Sequence, residues 1–200
     1  MPTGVALRDV RAQLFDAAER VLLRDGPKAL TSRAVTTEAG CAKGVLHRHF
    51  ADFDTFLAEL IEDRIARIGV QSIDLCESAG TGIVADHLTD ALTALFGSVA
   101  TAIIVLITFH DGLRARLRAT RPTGVPLLTE AAAMITDYLT AERDLGRIAA
   151  AADVQILAMT LIGSGHLVFA GSDGAPEPAS VHKMVTSVLA GALPNRRRNS

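Results

Sequence analysis

The stretch from residue 42 to residue 50, AKGVLHRHF, concentrates side chains that could bind an acidic partner. Lys43 and Arg48 are cations at neutral pH, His47 and His49 can be protonated, and the stretch contains no acid. Lysine and arginine neutralise phosphate groups or donate hydrogen bonds to guanine. These residue types predict a surface for nucleic acid, although a solvated helix with an uneven charge count would have the same composition.

The positive charge lies at the front of a chain that is slightly acidic as a whole. Residues 1–50 contain 8 Lys and Arg against 5 Asp and Glu, a net charge of +3, whereas residues 51–200 contain 12 against 17, a net charge of -5. The whole 200-residue chain has a net charge of -2. This excludes a polycation that binds nucleic acid indiscriminately, so any basic site must be local. With 49% hydrophobic residues, the chain is expected to fold around a sizeable core.

Other patterns that could carry chemistry are weaker. Residues 80–85, GTGIVA, fit a dinucleotide-loop pattern but follow a predicted helix rather than a strand. Gly163-Ser164-Gly165 lacks the spacing of a nucleophile elbow, and His110-Asp111 has no accompanying cluster of metal ligands. Cys41 and Cys76 form neither a disulfide framework nor a zinc set. We therefore expect no enzyme activity, no cofactor and no metal.

Apolar periodicity and turn residues predict an all-helical chain, since no segment shows the alternation of a strand. Thr31 and Asp52 are expected to cap helices, and Gly40 is expected to adopt the left-handed conformation that ends one. The predicted helices run from Leu7 to Arg24, Thr31 to Ala39, Ala42 to Phe50, Phe53 to just before Gly80, Ile83 to Gly97, Val99 to Leu117, Val125 to Asp144, Asp153 to Ala170 and Ala179 to Ala192.

Two short helices joined by a glycine turn and braced by a third form the helix-turn-helix that inserts a recognition helix into the DNA major groove. Residues 31–50, TSRAVTTEAGCAKGVLHRHF, resemble the signature TTRAIAERAGVSKGTLYRHF of the TetR family of bacterial transcriptional regulators, and the match extends over about the first 60 residues. The resemblance implies an N-terminal three-helix helix-turn-helix DNA-binding domain followed by a larger helical ligand-binding and dimerisation domain. We assign residues 1–52 to the first, 53–193 to the second and 194–200 to a disordered basic tail.

The resemblance also implies which residues contact DNA. They lie at the start of the second helix and along the recognition helix: Thr31, Ser32, Arg33, Lys43, Gly44, Val45, His47, Arg48 and His49. Three positions depart from the family pattern. Ala42 stands where a capping serine is usual, His47 replaces a tyrosine, and Phe53 stands where a lysine often reaches the DNA backbone. The last departure predicts weaker anchoring to phosphate.

The larger domain is expected to bind an effector and to form the dimer. A mostly apolar pocket with a few polar groups would draw on Phe96, Thr108, Phe109, His110, Met134, Tyr138, Met159, His166 and Phe169. The apolar and small residues of the last two helices are expected to form a two-fold interface: Ile156, Met159, Gly163, Leu167, Val181, Met184, Val185 and Val188.

These assignments predict a cytoplasmic regulator, a repressor, that binds palindromic operator DNA as a homodimer and is released by a small, largely apolar effector. Two alternatives remain open: a constitutive DNA-binding regulator without an effector, and a helical enzyme or membrane-associated protein. The uncharged stretch from Ala91 to Phe109 has nearly the length of a membrane span, but its threonine, glycine and serine residues favour buried helices of a protein outside the membrane. With no Trp and one Tyr, the chain lacks stacking groups for single strands, so duplex DNA is the expected partner.

Overall fold

The computed structural model describes residues 6–97, 99–172 and 174–194. Within these residues the chain forms ten α-helices and no strand, which confirms the all-α prediction. A short 3-10 turn, Pro27–Ala29, follows α1. The helices are α1 Ala6–Asp25, α2 Ser32–Glu38, α3 Val45–His49, α4 Phe53–Glu77, α5 Val84–Phe96, α6 Ala100–Phe109, α7 Asp111–Thr120, α8 Leu128–Asp144, α9 Val154–Ala170 and α10 Pro178–Leu189. The predicted disordered tail lies, apart from Pro194, outside the described residues.

The helix predicted from Val99 to Leu117 was wrong, because the structure divides this segment into α6 and α7. His110 interrupts it with an extended backbone, and its Nδ1 atom accepts a hydrogen bond of 3.3 Å from the Leu113 amide. His110 thus acts as the N-cap of α7, satisfying an amide that has no partner inside the helix. Histidine is not among the usual capping residues, so the sequence did not indicate this break.

A compact unit comprises residues up to Arg64 together with residues 102–124. Its core contains a cluster of phenylalanine rings in which Phe56, fully buried, lies 5.6 Å from Phe15 and 5.0 Å from Phe50 between ring centroids. Aliphatic residues of α1, α2 and α3 complete this core, among them Leu14, Val35 and Leu46. The burial of one face of each short helix is what holds them, since helices of this length are marginal alone.

Helix α7 belongs to this first unit because its arginines bind the N-terminal half of α4. An Arg116 nitrogen lies 3.1 Å from Asp52 Oδ2, and an Arg121 nitrogen lies 2.8 Å from Glu62 Oε2. Asp52 also caps α4, where its Oδ1 accepts hydrogen bonds of 2.6 Å from the Thr55 amide and hydroxyl. These hydrogen bonds hold the pKa of Asp52 below its usual range. Residues 102–124 have no counterpart in the N-terminal domain that the sequence predicted.

The other compact unit comprises residues 65–101 and the chain from Val125 onwards. In it α8 packs against α9, and α10 packs against α5 and α9. The buried faces are mainly aliphatic, but α8 also buries two polar side chains completely, Tyr138 and Glu142. The Tyr138 hydroxyl donates a 2.7 Å hydrogen bond to Glu142 Oε1, and Arg147 Nε lies 3.3 Å from the other carboxylate oxygen. Buried polar groups need such partners to offset the loss of water.

The long uncharged stretch is distributed over α5 and α6 rather than one helix. Among the described residues, no single helix combines the length and the apolar composition needed to cross a bilayer. The segments Val84–Phe96 and Ala100–Phe109 meet that test only together, as a bent pair.

Candidate nucleic-acid interface

The α2 and α3 helices are positioned by a cap, a glycine turn and two buried aliphatic side chains. The Thr31 hydroxyl accepts a 3.1 Å hydrogen bond from the Ala34 amide at the start of α2. Gly40 has φ +66°, the left-handed conformation predicted for the turn. Val35 on α2 and Leu46 on α3 are both fully buried, so the opposite faces of these helices are directed outward.

Three cations on the outward faces make no ion pair within the described part of the chain. Arg33, Lys43 and Arg48 are exposed, and no carboxylate lies within ion-pair distance of any of them. By contrast, Arg20 and Arg24 of α1 each approach Glu38 to 2.8 Å. The unpaired cations are therefore available to an anionic partner, as phosphate binding requires.

The remaining predicted contacts differ in accessibility. His47 and Gly44 are exposed, and Val45 and His49 are half-buried. A Cβ atom at Gly44 would meet nothing within 4 Å, so the protein itself does not require a glycine there. Open space at this position is what a close approach of an external backbone would use. The Ser32 hydroxyl oxygen is buried and lacks a hydrogen-bond partner in the described residues.

The recognition helix is shorter than predicted. It begins at Val45 rather than Ala42, and its N-cap residue, Gly44, provides no side-chain hydrogen bond. The absence of a capping side chain at residue 42 is consistent with this late start. Phe53 is half-buried and stacks on Phe56 with centroids 5.6 Å apart, so it serves the core.

Arg11 supports the end of the recognition helix, a role that the sequence did not indicate. Its guanidinium lies 4.4 Å from the centroid of the Phe50 ring and donates a 3.2 Å hydrogen bond to the His49 carbonyl. The same side chain forms an ion pair with Glu59 of α4. A cation at a helix C-terminus is favoured by the helix dipole. Arg11 lies 38 residues from His49, so no local pattern reveals the contact.

The residues predicted to bind an effector do not form one group, which corrects that assignment. Phe96, Met134, Tyr138 and Phe169 are buried in the second unit, where the Phe96 ring lies 5.7 Å from Phe169 and 6.0 Å from His166. Thr108, Phe109 and His110 belong to the first unit. Phe109 is 82% exposed and Met159 is 64% exposed, so neither is an interior residue. The sequence pattern identified polarity and ring type, whereas tertiary packing decides which groups meet.

A different set of residues lines a cavity of about 290 Å³ in the second unit. Met134 is the one residue of the predicted set in this lining. The spacing i, i+3, i+4, i+7 on two helices could have identified the rest, because it places residues on one helical face. The lining consists of Gln71, Asp74, Leu75 and Ser78 of α4, His87, Asp90, Ala91 and Ala94 of α5, and Met134 of α8.

The predicted dimer residues separate into exposed and buried ones. On α9, Ile156, Met159 and Leu167 are 57%, 64% and 73% exposed, and Gly163 is exposed as well. On α10, Met184 and Val188 are half-buried. Val181 and Val185 are 1% and 0% exposed, which corrects their assignment, since they pack inside the unit and present no surface to a partner.

Comparison with known proteins places these features. Residues 14–60 match the family model of bacterial regulatory proteins, tetR family. No curated protein sequence matches the chain significantly. Among solved structures, a TetR-family transcriptional regulator from Agrobacterium tumefaciens has a TM-score of 0.70 at 12% identity, covering 94% of this chain and 99% of that one.

Two further solved structures that are similar to this chain have names that mention small molecules. A protein from Saccharomonospora viridis described as a transcriptional regulator, in complex with choline, has a TM-score of 0.65 at 15% identity and covers 94% of this chain and 100% of its own. A gamma-butyrolactone receptor described as ArpA-like has a TM-score of 0.61 at 25% identity, covering 96% of this chain and 92% of its own.

Proposed function

Since the chain carries the N-terminal domain of the tetR family at residues 14–60 and has the fold of a TetR-type transcriptional regulator, we propose that it is a ligand-responsive repressor. It binds palindromic operator DNA as a homodimer in the cytoplasm and is released by a small-molecule effector. Residues 1–52 form the DNA-binding domain, and residues 53–193 provide effector binding and dimerisation.

The observation that carries this proposal is the set of unpaired cations on α2 and α3. Arg33, Lys43 and Arg48 lie on two helices joined by a tight turn, which is the geometry that places a recognition helix in the major groove. The cations provide the phosphate contacts and base-edge hydrogen bonds, and Val45 can contact a thymine methyl group.

Selection from a random duplex library tests the DNA-binding function, because it requires no chosen operator sequence. We expect the protein to enrich one palindromic sequence from the library, with half-sites separated by about one helical turn or a multiple of it. The measurement is sequencing of the retained DNA after successive rounds. Retention without enrichment of any sequence would show that the protein binds DNA non-specifically, which contradicts the proposal.

The dimer uses the exposed apolar face of α9, which carries Ile156, Met159 and Leu167. We expect the wild type to sediment as a dimer at micromolar concentration. Replacing Met159 and Leu167 with glutamate should weaken the dimer by about 100-fold or more, because like charges juxtaposed across an interface cost several kcal/mol and a two-fold axis doubles each substitution. Sedimentation velocity measures both.

Ile83→Glu is the matched control for this experiment. Ile83 is 62% exposed in the same unit but lies at the N-cap of α5 rather than on α9. It should leave the dimer intact. A monomeric wild type, or equal dissociation by both kinds of variant, would refute the assignment of α9.

The effector is proposed to occupy the cavity between α4, α5 and α8. The similar proteins whose names mention choline and a gamma-butyrolactone support a small molecule as the ligand class. The lining includes Leu75, Ala91, Ala94 and Met134, which fit the apolar part of such a molecule. A ligand shifts DNA binding only by its differential affinity for two conformations, typically about 1–3 kcal/mol, so effector and operator must weaken each other reciprocally.

A further inference from the structure

The effector cavity combines apolar walls with two carboxylates. Asp74 of α4 and Asp90 of α5 both line it, and the lining contains no lysine or arginine. Neither carboxylate forms an ion pair within the residues that the structure describes. Their charges are therefore balanced by solvent alone when the cavity holds no ligand.

The hydrogen bonds around His87 determine where the neutral imidazole carries its proton. Its Nδ1 atom lies 2.9 Å from the Tyr138 hydroxyl and 3.2 Å from the Ser78 hydroxyl. Tyr138 has one proton and donates it to Glu142 Oε1 at 2.7 Å, and Ser78 donates its proton to the Leu75 carbonyl at 2.6 Å. Both oxygens can then only accept from His87, so Nδ1 is the protonated nitrogen.

Tyr138 keeps its proton in this arrangement. Burial of the ring and the neighbouring Glu142 carboxylate raise the pKa of the Tyr138 hydroxyl well above its usual range. The hydroxyl is therefore a fixed donor to Glu142 at neutral pH, and its oxygen remains the acceptor for His87 Nδ1. The tautomer of His87 follows because both neighbouring hydroxyls donate their protons elsewhere.

The other imidazole nitrogen, Nε2, is left with a free lone pair. It has no hydrogen-bond partner among the described residues. Gly82 keeps it uncovered, because a Cβ atom at that position would lie 2.7 Å from Nε2. The cavity thus presents acceptors and negative charge: the imidazole Nε2 and two carboxylates.

We propose that this cavity binds a small organic cation, an alkyl- or arylalkyl-ammonium whose N–H groups are donated to Asp74, Asp90 and His87 Nε2. Its apolar body contacts Leu75, Ala91 and Met134. An ammonium supplies both donors and positive charge, whereas an anion would meet repulsion from both carboxylates. The ligand is then charged at one end, in contrast to the largely apolar effector that the sequence predicted.

Three probes of nearly equal shape test the ligand class: benzylammonium, benzyl alcohol and benzoate. The full-length protein is labelled at its methionine methyl groups with carbon-13 and titrated by NMR. Met134 lines the cavity, and Met159, exposed on α9, is the internal control. We expect benzylammonium to shift the Met134 resonance with a Kd of about 1 mM or lower, benzyl alcohol to bind about tenfold more weakly, and benzoate not to bind.

Charge-neutral variants test the two carboxylates. Asp74→Asn and Asp90→Asn should each weaken benzylammonium binding by about tenfold, as loss of a nearby opposite charge does. Asp144→Asn removes the same charge from an exposed site on α8 outside the lining and should change the affinity less than about twofold. Equal binding of the three probes, no binding of benzylammonium at about 10 mM, or unchanged affinity in both cavity variants would overturn the inference.

This inference rests on the proposed function only for the effector role of the cavity, so the two fail separately. The titration contains no DNA and reports the ligand class alone. A second titration in the presence of the selected duplex reports regulation. If benzylammonium binds as expected but its affinity is the same with and without duplex, the ligand class stands and the effector role is refuted.

Discussion

Replacing Lys43 and Arg48 together with alanine is expected to reduce affinity for the selected duplex by about 30-fold or more, at ~1 kcal/mol or more for each residue. Both side chains are exposed on the recognition segment and have no ion-pair partner in the described chain, so DNA is the partner whose contacts are lost. Each lost phosphate contact should also reduce the slope of log affinity against log salt concentration by about 0.9. Fluorescence anisotropy across a salt series measures both quantities.

The control for this experiment removes the same charge from the second unit. Lys183 is exposed on α10, and Arg143 lies near the end of α8. The Lys183→Ala, Arg143→Ala double variant should retain the wild-type affinity and salt slope. If the recognition-segment variant binds as tightly as this control at every salt concentration, α3 is not the DNA-contacting element.

Phe56→Ala is expected to lower the free energy of unfolding by about 3–5 kcal/mol, the usual cost of deleting a fully buried phenyl ring. Phe56 is 0% exposed, and its ring contacts Phe15, Phe50 and Phe53 at centroid distances of 5.6, 5.0 and 5.6 Å. These rings join α1, the end of α3 and the start of α4, so the cavity left behind would loosen the support of the recognition helix. Urea unfolding followed by circular dichroism measures the loss.

Phe109→Ala is the matched control, because it deletes the same ring from a position that is 82% exposed. Its effect should be within about 0.5 kcal/mol. Should Phe109→Ala destabilise the protein as much as Phe56→Ala, the aromatic cluster would not be the main support of the first unit. The ratio of the two effects therefore tests the assignment of the core.

The helices and the helix-turn-helix could be predicted from sequence because their determinants are local. Thr31 and Asp52 cap α2 and α4 through amides three residues away, and Gly40 ends α2 in the predicted left-handed conformation. Apolar spacing along each segment identified the buried faces, including Val35 and Leu46. Caps, turns and helical faces involve residues within about one or two turns of each other, a range that a sequence pattern contains.

The candidate effector site could be predicted only in part, because it depends on which faces meet. His87 and Tyr138 are 51 residues apart, and Arg116 and Asp52 are 64 apart. Of the predicted effector residues, Met134 lines the cavity, whereas Asp74, Asp90 and His87 were not predicted although their helical spacing placed them on common faces. Sequence periodicity says that a face is selected; it does not say which other face covers it.

The sequence by itself determined the helical class, the position of the recognition segment and the unpaired basic residues on it, since each follows from residue type and spacing within one or two turns. Only the tertiary structure decided that His110 breaks a long apolar run, that residues 102–124 join the N-terminal unit, and that Val181 and Val185 lie inside rather than on a surface. The physical reason is that burial and ion pairing are properties of contacts between distant segments. The same apolar face or arginine is compatible with several partners until the chain packs.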